Sequence, residues 1–142
     1  MIVDANLLVY AVDLASPWQR RAQEWLAGAL EGDVRVGLPW QTLGAFVRLT
    51  TNARMFPRPM DAARASALVD GWLASPAAWV PPATDRTWRI YADLARRHHV
   101  TGNLVPDAQL AALAIENGVP VYSADSDFAR FDEVRWINPL RD

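Results

Sequence analysis

LVPDAQLAALAIENGVPVYSADSDF, residues 104–128, is the stretch on which the reading of the whole chain turns. Pro106 and Asp107 stand where a helix opens, and AQLAALAIENG continues it with an apolar repeat. Gly118 occupies the position at which helices commonly end in a left-handed residue. Val119 to Tyr122 then reads as a short strand, followed at once by Ser123, Asp125 and Asp127. Helix, glycine, strand and acids in that order form half of an α/β unit. In open sheets of this kind, ligands bind beyond the carboxyl ends of the strands.

Working outward, the N-terminus makes the same arrangement: Met1–Val3 is apolar and stops at Asp4. Leu7 to Ala11 suggests a short helix, and Ser16-Pro17 opens another that runs to about Leu30. Val34, Val36 and Leu38 alternate as a second strand, followed by a helix over 41–49. A proline-fixed loop leads to a helix over 60–74, a third strand at 78–80 and a helix over 84–98. Val134 to Ile137 supplies a fifth strand. Strands alternating with helices predict a three-layer α/β/α fold around a mainly parallel sheet of four to five strands. No repeat or linker interrupts the 142 residues, which suit a single domain over 1–142.

Composition excludes several classes. A hydrophobic share of 51% is enough for a core without disulfides. With no cysteine, thiolate metal sites and thiol nucleophiles are ruled out. The first residues carry Asp4 and Asp13 and no basic leader, and no apolar run reaches the roughly 18 residues a membrane helix needs. A cytoplasmic protein without membrane contact is expected. Net charge is −2, and all 14 basic residues are arginine. The missing lysine argues against receiver domains and haloacid-dehalogenase-like phosphatases, which also place an Asp after the first strand but need a lysine beside the phosphoryl group.

The sheet topology should deliver Asp4, Asp107, Asp125 and Asp127 to one edge. Each has a structural reading: a cap for Asp4, a helix-dipole partner for Asp107, an Asx-turn and cap for Asp125 and Asp127. Together they are costly, because carboxylates within about 4–6 Å repel one another unless a cation intervenes. An all-oxygen set, with His98 and His99 remote in sequence, favours Mg²⁺ or Mn²⁺ over zinc.

MIVDANLLVYA (1–11), LPWQTLGAFVRLTTN (38–52), FPRPM (56–60), the 104–131 stretch and RWINPL (135–140) together resemble a PIN domain, and within that family the VapC toxins of VapBC pairs. The resemblance runs nearly end to end. It implies a toxin of a type II toxin–antitoxin system: a Mg²⁺- or Mn²⁺-dependent endoribonuclease that cuts single-stranded or looped RNA, commonly tRNA or rRNA, and is neutralised by a VapB-type antitoxin. By the same resemblance Asp4, Asp107 and Asp125 are the catalytic acids. Ser123 sits at the hydroxyl position of the Thr/Ser-x-Asp motif, and Asn6 and Asp127 match positions often polar in the family. Asp127 is expected to join the metal site, and Asn6 and Ser123 to support it. Arg48, Arg96 and Arg97 are the expected RNA contacts, with Arg54 and Arg58 in a loop as further candidates and Trp40 as a possible base-stacking ring. Helices rich in Ala, Leu and Trp suggest a homodimer.

One position departs from the family. Many relatives carry a glutamate in the helix after the second strand, where this chain has Ala45 before Phe46, and no Glu occurs between Glu31 and Glu116. The expectation is weaker metal binding with activity retained. The alternative is a PIN-like module that binds RNA or a partner without efficient cleavage.

Overall fold

The computed structural model describes residues 1–141. Five strands form one parallel sheet: β1 (Ile2–Val3), β2 (Val36–Gly37), β3 (Ala78–Trp79), β4 (Val121–Tyr122) and β5 (Trp136–Ile137), in the order β3-β2-β1-β4-β5. Around them lie α1 (Ala5–Val12), α2 (Gln19–Glu31), α3 (Trp40–Thr50), α4 (Ala62–Leu73), α5 (Asp85–Arg97) and α6 (Val105–Asn117). Short 3-10 turns occupy Gly102–Leu104 and Ser126–Arg130. The expected α/β/α architecture is present, with five strands and every pairing parallel.

The two residues of β1 explain why both faces of the sheet must be covered. Ile2 joins a core built from α6, β4 and the 3-10 turn, with Val121, Phe128 and Phe131 among its members. Val3 joins the opposite core with Leu7, Leu8, Val36 and Phe46. Successive strand residues point to opposite faces, so two adjacent apolar residues require an apolar layer on each side. Phe46 is fully buried and meets Trp72 edge-on at 4.8 Å. Burying a side chain of this size contributes about 1.5–3 kcal/mol.

α6 is the most enclosed helix. Ala108 and every residue from Leu110 to Ala114 are buried, as expected for a helix apolar around most of its circumference. Gly118 ends it at φ 64°, in the left-handed region that glycine enters without a Cβ clash. At the same end Glu116 accepts hydrogen bonds from the hydroxyls of Thr84 (2.6 Å) and Thr87, the two residues of the capping box that opens α5. That clamp fixes α5 antiparallel against α6.

The strands at 78–80, 119–122 and 134–137 are shorter than read, at Ala78–Trp79, Val121–Tyr122 and Trp136–Ile137, and three other boundaries differ for a local reason. α2 starts at Gln19, because Ser16 Oγ accepts from Trp18 N–H (3.1 Å) and holds Ser16-Pro17 in a preceding turn. α4 starts at Ala62, because Asp61 caps it by accepting from Arg64 N–H (2.8 Å), which leaves Met60 outside. Val34 is 62% exposed and takes no part in β2, so only Val36 and Leu38 of that alternating set are buried.

Gly37 marks a close approach of β2 to β1. A Cβ there would lie 2.8 Å from Met1 O and 2.9 Å from Ile2 Cδ1. Since one neighbour is backbone inside the sheet, Gly37→Ala is expected to destabilise by about 1–3 kcal/mol, read as a lower urea midpoint with an unchanged slope.

Candidate metal centre

β1 and β4 are neighbours, with Ile2 level with Val121 and Val3 level with Tyr122. Asp4 N–H donates to Tyr122 O at 3.0 Å, so the chain leaves the two strands side by side. Asp4 therefore emerges beside Ser123, a residue 119 positions away. Ser123 is fully buried, and its hydroxyl donates to Asp4 Oδ2 at 2.6 Å. Asn6 Nδ2 donates to the same Oδ2 (3.1 Å) and to Ser123 Oγ (3.0 Å), while Asn6 Oδ1 accepts from Ala124 N–H (3.2 Å). Asp4 stands at the N-cap position of α1 but caps nothing with its side chain. The capping role weighed for it is absent.

The other acids meet across α6 and the loop after β4. Asp107 lies in the first turn of α6, where an acid complements the helix dipole. Asp125 Oδ1 accepts from Asp127 N–H at 2.8 Å and opens the 3-10 turn. Asp125 thus does cap a turn, and it faces the cluster as well. One carboxylate oxygen each from Asp107, Asp125 and Asp127 lie within 4.8 Å of one another.

Electrostatics register the crowding. Burial, then the charges of Asp125, Asp4 and Asp127, push the Asp107 carboxyl up to about 7. Burial also raises Asp4, with Asp125 adding to it, against the lowering effect of the Ser123 hydrogen bond. Asp4 is thereby electrically part of the cluster, although the oxygens that approach one another most closely belong to the other three. Hard carboxylate oxygens without sulfur or imidazole suit a hard divalent ion, and such an ion would offset both the burial and the like charges that raise Asp107. The donor set fits Mg²⁺ or Mn²⁺.

The basic residues sort differently. Arg96 pairs with Asp93 at 2.7 Å, and Arg97 with Asp93 at 3.0 Å and Glu133 at 3.5 Å. His98 lies 2.9 Å from Glu133 and is not among the acids' partners. Arg48, in the last turn of α3, is exposed and has no hydrogen bond or ion pair among the described residues. Ala45 is half-buried on the same helix.

Two positioning residues escape a reading of the sequence. Thr42 is buried, and its hydroxyl donates to Val3 O at 2.7 Å, fixing the first turn of α3 beside Asp4. Trp136 Nε1 donates to Ser123 O at 2.9 Å, holding the hydroxyl-bearing residue from β5. A threonine in an apolar helix and a tryptophan in a short strand carry no signal of such a role. Only the topology gives it to them.

Comparison with known proteins bears on the whole chain. The family model described as PIN domain matches residues 1–134. Ribonuclease VapC37 of Mycobacterium tuberculosis is 46% identical over 138 residues, covering 97% of this chain and 96% of that protein. Among solved structures, VapC20 of Mycobacterium tuberculosis, described as a sarcin-ricin loop cleaving toxin, superimposes with a TM-score of 0.65 at 22% identity, covering 94% of this chain and 98% of that one. VapBC2 of Rickettsia felis, bound to a promoter DNA fragment, gives 0.66 at 15% identity, covering 96% of each.

The raised acids set a direction for pH dependence. In the folded, ion-free protein Asp107 binds its proton more tightly than an unfolded aspartate, so folding is favoured where it is protonated and that advantage is lost as pH rises through about 7. In chelator, the melting temperature should fall between pH 5 and pH 8, and Mn²⁺ should restore it most at the alkaline end. Asp107→Asn should raise the chelated melting temperature at pH 8 and abolish the response to Mn²⁺. An Asn variant that still responds fully would remove Asp107 from the metal centre.

Proposed function

We infer the function from one premise: the chain belongs to the PIN domain family. It is an endoribonuclease, the toxin of a VapBC-type toxin–antitoxin pair, and a VapB-type antitoxin is its partner. Like PIN-domain ribonucleases generally, it depends on a divalent metal. The observation that carries the site assignment is the approach of the Asp107, Asp125 and Asp127 oxygens to within 4.8 Å. The finer reading is that the ion is Mg²⁺ or Mn²⁺, that residues 1–142 act as one PIN domain, and that the substrate is single-stranded or looped RNA of the tRNA or rRNA kind. No helix among the described residues is long and apolar enough to cross a membrane, which accords with work in the cytoplasm. A homodimer is part of the same reading.

Asp107, Asp125 and Asp127 would hold the ion. When bound it neutralises phosphate charge and makes nearby water more acidic. Asp4 is the carboxylate best suited to accept the proton, because burial raises its affinity for one and two side-chain bonds to Oδ2 fix its orientation. Asp125 has Oδ1 engaged by Asp127 N–H. In the reaction, a water oxygen bonds to phosphorus and the bond to the leaving ribose oxygen breaks. The proton released by the water passes to Asp4, and the leaving oxygen takes one from solvent. Ser123 and Asn6 hold Asp4 still throughout. Arg48, Arg96 and Arg97 are proposed RNA contacts, the last two after exchanging Asp93 and Glu133 for phosphate.

Asp4→Asn should lower cleavage of a looped RNA by about 10²–10⁴-fold while the Mn²⁺-induced rise in melting temperature survives. Full cleavage by the purified variant would refute the assignment. Ala45→Glu should tighten Mn²⁺ binding in a titration without changing the fold. No change in either titration or cleavage would separate that position from the metal centre.

A further inference from the structure

We propose that one face of α3, running from Trp40 past Gly44 to Arg48, is the track on which single-stranded RNA lies as it enters the acid cluster. Trp40 stacks on a base and Arg48 holds a phosphate. The proposal rests on the ribonuclease reading above and adds to it where the substrate runs and what grips it.

Position is the first argument. β2 pairs with β1 so that Gly37 is level with Ile2, and Trp40, three residues on, begins α3 where Ala5, three residues on, begins α1. The Thr42 hydroxyl fastens that first turn to the carbonyl of Val3, the residue before Asp4. Trp40 is 79% exposed even so. An indole left in water at the start of this helix is unexplained by packing, whereas base stacking on an aromatic ring is sequence-tolerant and strong. Trp88, the other indole that is mostly exposed, lies in the first turn of α5 and is already against Tyr91 (5.4 Å). That end of α5 is tied to Glu116, at the opposite end of α6 from Asp107.

The second argument is Gly44, one turn from Trp40. Glycine weakens a helix interior, yet here a Cβ would meet nothing within 4 Å. No neighbour demands the small residue, and its effect is to leave bare backbone between the ring and the next side chain along. One further turn brings Arg48, exposed and without an ion pair among the described residues, unlike Arg96 and Arg97. Ring, open floor and guanidinium span about 12 Å of helix at 1.5 Å per residue. In a chain of net charge −2, an arginine with no ion pair among the described residues, two turns along α3 from the end tied to Val3, complements phosphate. A protein partner would have equal use for an exposed indole but none for an open floor leading to the acids, so RNA is favoured.

The test is binding of a short labelled single-stranded oligoribonucleotide to Asp4→Asn protein and to the same protein carrying Trp40→Ala, Trp40→Phe or Arg48→Ala, with cleavage measured in the matching chains that retain Asp4. Trp40→Ala should weaken binding by about 5- to 150-fold, the range for losing one stacked base, and Trp40→Phe should recover most of it. Arg48→Ala should weaken binding and flatten its salt dependence. The Mn²⁺-induced rise in melting temperature should be unchanged in all, as evidence of an intact fold and metal centre. If the parent binds RNA and Trp40→Ala binds as tightly, the track is wrong and the nuclease reading stands. If Trp40→Ala instead alters only self-association or binding of another protein, the face is a protein contact and the proposal falls. If no chain binds or cuts RNA, both readings fall together.

Discussion

The hydrogen bond from the buried Ser123 hydroxyl to Asp4 Oδ2 is the interaction on which the functional edge depends. It joins the ends of the two central strands and gives a carboxylate a fixed direction at the place where three more converge. A charged group that is mostly buried is tolerated only when its lone pairs are occupied. Ser123 and Asn6 occupy Oδ2, and Trp136 holds Ser123 in turn through its carbonyl. The support therefore reaches from β1 through β4 to β5, and it fixes Asp4 at the strand ends that the other acids adjoin.

The acid edge costs stability locally. Burial, with the neighbouring charges, raises the proton affinity of Asp4 and Asp107, and the remainder of the fold has to offset it. It does so with two apolar cores flanking strands only two residues long, where helix-to-sheet packing outweighs the few ladder hydrogen bonds. Stability and chemistry are kept apart in space: the Glu116 clamp on the capping box of α5 lies at the far end of α6 from Asp107.

Much of this was legible in the residues. MIVD reads as a buried strand ending in an acid because two consecutive apolar side chains face opposite layers, and Gly118 marks the end of α6 through its left-handed backbone. The acids were legible as a set because each follows a strand or opens the helix that feeds one. What the sequence hid was the division of labour. Asp4, read as a site acid with capping as the alternative, makes no side-chain cap hydrogen bond, while Asp125 is both cap and cluster member. Arg96 and Arg97 looked free, but Asp93, one turn back, and Glu133, far along the chain, already hold them. Thr42 and Trp136 gain their roles from parallel crossovers, which no local pattern encodes.

The 119-residue separation between Asp4 and Ser123 has a consequence for synthesis. Asp4 is made before α5, and the other three acids all follow it. Since β4 is the strand that seats β1 from the other side, no partial product holds an assembled centre. The centre is therefore completed only when α6 and β4 take their places against β1, so its assembly is a late and all-or-none event in folding.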